Sequence, residues 1–115
     1  MKKAVLFAFN PEFMCFVHVL ITALDMKDAG YEVGIVFEGQ AVKLPQELDA
    51  DGSPLKVLWD KVREQDLVYG VCKACSAKLN VLDANLALGL KALDDTMGHP
   101  SLRAYMDDGF EVITF

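Results

Sequence analysis

Basic residues are scarce in this chain: 11 lysines and arginines stand against 17 aspartates and glutamates, a formal net charge of −6. That balance argues against nucleic acid or an anionic membrane as partner, because phosphate binding needs clustered positive charge. Long apolar runs are lacking too. The longest nearly apolar stretch, Phe13 to Leu24, falls short of the about 20 residues that span a bilayer. Lys2-Lys3 precedes apolar residues as a secretory signal would, but Asn10-Pro11-Glu12 interrupts them and no small-residue cleavage site follows. Histidine occurs only twice, which leaves few options for acid–base chemistry, and no Ser-His-Asp arrangement is supported by spacing. No GxGxxG follows the first apolar run and no Walker-type GxxxxGK occurs, so no nucleotide or other cofactor is expected. Internal repeats, low-complexity tracts and linkers are absent, and residues 1–115 read as one domain.

What the chain does have is apolar residues, 53% of the total with a mean hydropathy of +0.25. Elements buried on both faces, or an oligomer interface, would account for that richness. Lys3 to Phe9, Tyr31 to Phe37 and Leu67 to Val71 are short apolar runs that read as buried strands, and Phe110 to Phe115 reads as a last one. Phe13 to Ala29 is long enough for a helix and ends at Gly30. Residues 39–53 read as a long loop, after which Ser53-Pro54 resembles an N-cap with proline at the first helical position. Leu82, Leu86, Leu90 and Leu93 suggest a third helix, and Pro100 opens a fourth that Gly109 closes. The order β-α-β-α-β-α-α-β predicts an α/β, flavodoxin-like three-layer sandwich with a mostly parallel sheet. Right-handed crossovers then favour the strand order 2-1-3-4.

The cysteines stand where this fold does chemistry. Leu67-Val68-Tyr69-Gly70-Val71 runs into Cys72-Lys73-Ala74-Cys75, so Cys72 ends the third strand. Sites in open parallel sheets form beyond the carboxyl ends of the strands, at the point where the order reverses. In the expected order that crevice lies between the loop Asn10-Pro11-Glu12 and the loop Cys72 to Asn80. Asn10, Glu12 and Lys73 therefore become candidate substrate-binding residues, with Glu12 a conceivable proton acceptor. A helix starting after Cys72 would offer free N–H groups, and with Lys73 it would favour the thiolate. The plain alternative is a small buried thiol at a strand end. A structural zinc site needs four ligands, of which the CxxC supplies two. Cys15, His18 and His99 stand at no matching spacing, so no metal is expected. His18 reads as a core or interface histidine, Cys15 as packing, and His99 before Pro100 as a helix-start residue.

The segment Cys72-Lys73-Ala74-Cys75-Ser76-Ala77-Lys78-Leu79-Asn80 resembles the cysteine loop of the DsrE/DsrF-like family, which includes sulfur-relay subunits. "YEVGIVFEGQAVKL" at strand two and the ending "EVITF" are similar to that family as well. The resemblance implies a flavodoxin-like fold, a cytoplasmic homo-oligomer (a trimer or hexamer), and a persulfide-carrying cysteine that corresponds to Cys72. Sulfur donor and acceptor proteins would be its partners. Three residues on, Cys75 reads either as a thiol that resolves Cys72 in a disulfide, giving a redox switch, or as helix filler. One departure stands out: the family often has Arg-Gly where this chain has Leu79-Asn80. Asparagine tolerates the left-handed conformation that glycine serves. A second reading, from another functional class, is a non-catalytic oligomeric binding or redox-sensing module with structural cysteines.

Overall fold

The computed structural model describes residues 1–115. Five strands form one all-parallel sheet: β1 (Lys3–Ala8), β2 (Glu32–Phe37), β3 (Val68–Cys72), β4 (Ala92–Leu93) and β5 (Glu111–Thr114). The helices are α1 (Phe13–Asp28), α2 (Leu44–Asp49), α3 (Lys56–Glu64), α4 (Lys73–Lys78), α5 (Leu82–Ala87) and α6 (Leu102–Asp107).

The α/β class and parallel sheet agree with the sequence reading, but the strand order does not. It is β4-β3-β2-β1-β5, not 2-1-3-4, and β2 separates β1 from β3. From β1 to β4 the chain steps in one direction across the sheet, and only the return to β5 reverses it. Right-handed crossovers therefore put α1 to α5 on one face and leave α6 alone on the other. The two cores reflect this. Alternate residues of β1 (Ala4, Leu6, Ala8) and β2 (Val33, Ile35, Phe37) join the large cluster, where Phe37 stacks on Phe16 and meets Trp59 edge-on. Val5, Phe7 and Val36 point the other way, toward an aromatic group of Tyr69, Tyr105 and Phe110. Strands apolar on both sides are what a sheet covered on both faces requires.

Three further expectations are corrected. Residues 39–53 are not one loop: a 3-10 turn (Gly39–Lys43) leads into α2, whose Leu44 and Leu48 are fully buried. Ser53-Pro54 does not start its helix directly. The Ser53 hydroxyl accepts the Leu55 N–H at 3.3 Å, and α3 begins at Lys56. The leucine stripe 82–93 is not one helix either. Gly89, at φ +81°, ends the α5 segment in the left-handed region that glycine enters freely, and Leu93 belongs to a strand. With two residues, β4 is too short for periodicity to reveal.

Between β2 and β3 the register shifts, Ile35 pairing with Val68 and Val36 with Gly70, which leaves Tyr69 as the extra residue. Its ring lies directly over Gly34, in space that any β-carbon at Gly34 would need. Gly34→Ala should therefore destabilise the chain by about 1–3 kcal/mol through overpacking. In a double-mutant cycle with Tyr69→Ala the two effects should be strongly non-additive, read by denaturant unfolding; additive effects would contradict this contact.

Candidate functional site

Cys72 is the last residue of β3 and the N-cap of α4. Its sulfur accepts the backbone N–H of Cys75 at 3.3 Å, the capping bond that a short helix uses for its free donors. The expected loop after Cys72 is thus a helix, Lys73–Lys78. Beyond its C-cap Leu79 stands Asn80, whose φ of +59° shows asparagine filling the left-handed position in place of glycine.

Above the cysteines lies a tight turn. Thr96 and His99 exchange two backbone hydrogen bonds of 2.8 Å, and the Gly98 carbonyl accepts the Ala74 N–H at 2.8 Å. The turn carries His99 over the sulfur: Nδ1 is 3.1 Å from Cys72 Sγ and 3.7 Å from Cys75 Sγ. Glu38, which follows β2, brings Oε1 to 3.3 Å from the same nitrogen. The sulfurs of Cys72 and Cys75 and a ring nitrogen of His99 all lie within 4.8 Å of one another. Cys72 is wholly buried and Cys75 partly so, while the His99 side chain is 43% exposed and forms the outer wall.

The electrostatics differ from the sequence expectation. Burial pushes the Cys72 thiol up to about 12; the Cys75 N–H pulls the other way, and the Cys75 and Glu38 side chains push up further. Desolvation outweighs the helix N–H, so the resting group is the neutral thiol rather than the thiolate. Burial also raises the Glu38 carboxyl above its ordinary value, against the pull of His99.

The remaining candidates stand elsewhere. Asn10 Oδ1 accepts the Glu12 N–H at 2.9 Å, and Glu12 precedes α1; neither joins the cysteine cluster. Lys73 follows Cys72, but its ammonium is half-exposed and 3.4 Å from the Asp94 carboxylate, which offsets its charge. Cys15 and His18 are exposed on α1. Sequence reasoning missed His99 and Glu38. His99 is 27 residues from Cys72, beyond any ligand spacing. Glu38 was hidden by the strand order, because with β2 beside β3 the residue after β2 is the natural neighbour of Cys72.

These features define an α/β protein with a paired-cysteine site at the carboxyl edge of a parallel sheet. Residues 2–115 match the family model described as DsrE/DsrF-like family, and the chain belongs to that family. It is 35% identical over 104 residues to an uncharacterised protein of Methanocaldococcus jannaschii, a match covering 90% of this chain and 83% of that one. An uncharacterised protein of Archaeoglobus fulgidus is 35% identical over 52 residues, 45% of this chain and 84% of that one. Among solved structures, a conserved protein of unknown function from Bacteroides thetaiotaomicron superposes with a TM-score of 0.71 at 17% identity. The match covers 99% of this chain and 95% of that one, a likeness of fold.

The raised Cys72 thiol has two measurable consequences. Native alkylation followed by peptide mapping should label exposed Cys15 before Cys72. The Cys72 rate should still be climbing above about pH 10, where a model thiol of pKa about 8.5 has levelled off. Stability carries the same sign. Below about pH 8.5 both folded and unfolded chains hold this proton; above it the unfolded chain releases the proton first, so stability falls as pH rises toward about 12. Cys72→Ala should flatten that slope.

Proposed function

We propose that the protein is a sulfur carrier in which Cys72 holds sulfane sulfur as a persulfide. The observation that carries this reading is the 3.1 Å approach of His99 Nδ1 to Cys72 Sγ, in a family associated with sulfur relay. A thiol kept neutral by burial needs a local proton acceptor before it can attack, and His99 is within reach for that role. The Cys72 S–H gives its proton to Nδ1, and the thiolate attacks the outer sulfur of a donor persulfide. The donor's S–S bond breaks, and its inner sulfur leaves as a thiolate that recovers the proton from His99. Cys72 is left as Cys–S–SH, with no net oxidation or reduction.

Burial supports storage, since sulfane sulfur on a sheltered atom is protected from stray thiols. Entry then requires the turn around Gly98 and His99 to shift. The onward step is attack by an acceptor thiolate on the outer sulfur, which returns Cys72. Attack by Cys75 on the inner sulfur would instead expel hydrosulfide and close a Cys72–Cys75 disulfide. Sulfur donor and acceptor proteins are the partners this reading implies. Asn10, Glu12 and Lys73, around the same edge of the sheet, are proposed only as outlying contacts for them. A homo-oligomer, trimer or hexamer, is part of the proposal because Met14 (84% exposed) and Ile21 (49% exposed) place two large apolar side chains on the outer face of α1, beside exposed His18.

Incubation of the reduced protein with a persulfide donor should add the mass of one sulfur atom to the intact chain. Cys72→Ser should abolish the gain, and His99→Gln should slow loading by about 100- to 10,000-fold, the usual weight of a general base. Cys75→Ser should load and keep its sulfur longer. Loading of Cys72→Ser as complete as that of the wild type would overturn the reading. For the assembly, light scattering at micromolar concentration should give a multiple of 12.7 kDa; a mass equal to one chain would remove the oligomer.

A further inference from the structure

One nitrogen atom at this site has too many partners. Cys72 Sγ at 3.1 Å, Glu38 Oε1 at 3.3 Å and Cys75 Sγ at 3.7 Å all converge on His99 Nδ1. An imidazole nitrogen carries one proton or one lone pair, so it satisfies one of these neighbours at a time. A cation placed among Cys72, Cys75 and His99 satisfies both sulfurs and the nitrogen at once, with the Glu38 carboxylate alongside. We propose that Cys72, Cys75 and His99 form a three-residue zinc site whose fourth position is open, with the Glu38 carboxylate, 3.3 Å from His99 Nδ1, supplying negative charge beside it.

The donor set and its dimensions support this choice. Two sulfurs and an imidazole are ligands that zinc prefers. Tetrahedral zinc, with Zn–S about 2.3 Å and Zn–N about 2.0 Å, sets a sulfur–nitrogen edge of about 3.5 Å. The two sulfur–nitrogen separations, 3.1 and 3.7 Å, lie within about 0.4 Å of that edge. The sulfurs stand within 4.8 Å of each other, against a tetrahedral sulfur–sulfur edge of about 3.8 Å, so zinc would draw the donors together. The CxxC pair is rigidly offered, because Cys72 caps the helix that carries Cys75. The third ligand arrives on a turn fastened at both ends, by the Thr96–His99 bonds and by the Gly98 carbonyl on Ala74 N–H. An ion would enter past Cys75 and His99, both only partly buried. The adjacent carboxylate favours a dication over a monocation such as Cu(I). On binding, each cysteine releases its proton to solvent and coordinates as the thiolate; no electron is transferred.

The proposal does not rest on the sulfur-carrier reading, and the two uses of the thiols exclude each other. A chain loaded with zinc has no free Cys72 to accept sulfur. Zinc occupancy would therefore hold the site inactive, and metal removal would free it.

The test is metal binding itself. Reduced, chelator-treated protein is titrated with Zn(II), and in parallel with Co(II) as a spectroscopic probe. One equivalent of zinc should be retained on dialysis. Cobalt should give thiolate charge-transfer absorption in the near ultraviolet together with the intense visible bands of a tetrahedral site. Cys75→Ser and His99→Ala, whose side chains are partly exposed and should leave the fold intact by circular dichroism, should each weaken zinc binding at least about 100-fold. Glu38→Gln should weaken it about 10-fold or more. Cys15→Ser should bind as the wild type does. Failure to retain zinc, retention of Cu(I) alone, or unchanged affinity in both Cys75→Ser and His99→Ala would overturn the proposal. Persulfide loading of the metal-free chain is read separately by mass, so either idea can fail alone.

Discussion

The junction at Cys72 is the constraint on which the site depends. One residue ends a buried parallel strand, caps the following helix with its sulfur and lies beneath a histidine from a distant turn. Each contact fixes the others. The strand pairing holds Cys72 in place on the sheet, and the capping bond orients Cys75. The Gly98 carbonyl, accepting the Ala74 N–H, sets the height of His99 above both sulfurs. Gly98 itself has φ +85°, and a β-carbon there would stand 3.1 Å from the side chain of Ala74, so the turn packs closely on the helix.

The asymmetry of the fold explains why the site is built where it is. Progression from β1 through β4 in one direction stacks α1 to α5 on one face, and the return to β5 brings α6 alone to the other. The turn carrying His99 belongs to this return, between β4 and α6. It therefore passes over the carboxyl edge of the sheet just beyond β3 and β4. Burial behind that turn makes the Cys72 thiol a weak acid while leaving it beside a base. The same enclosure suits sheltered sulfur and a bound ion alike, because both require soft donor atoms screened from water.

Several elements were readable in advance for identifiable reasons. The three longer strands are continuous apolar runs bounded by Asn10-Pro11, Glu38-Gly39 and the cysteines, and α1 is a sixteen-residue helix closed by glycine. Cys72 was placed at a strand end because an apolar run stops there. The left-handed turn at Asn80 was expected from the resemblance, because the family often has glycine there and asparagine tolerates the same conformation. The strand order failed because right-handed crossovers allow β3 to add on either side of the β1–β2 pair. Local pattern has no information about which side the third strand takes.

The sequence by itself determined the α/β class, the parallel sheet, the position of Cys72 and the presence of a second thiol three residues on. Those properties follow from hydrophobic period, turn residues and spacing, which act over a few residues. Only the tertiary structure decided that β2 lies between β1 and β3, and hence that Glu38 rather than Glu12 joins the cysteines. It alone brought His99 across 27 residues of chain to Cys72. It also reversed the expected acidity of that thiol, because desolvation depends on everything packed around an atom, while the helix N–H that favours the thiolate is a single local bond.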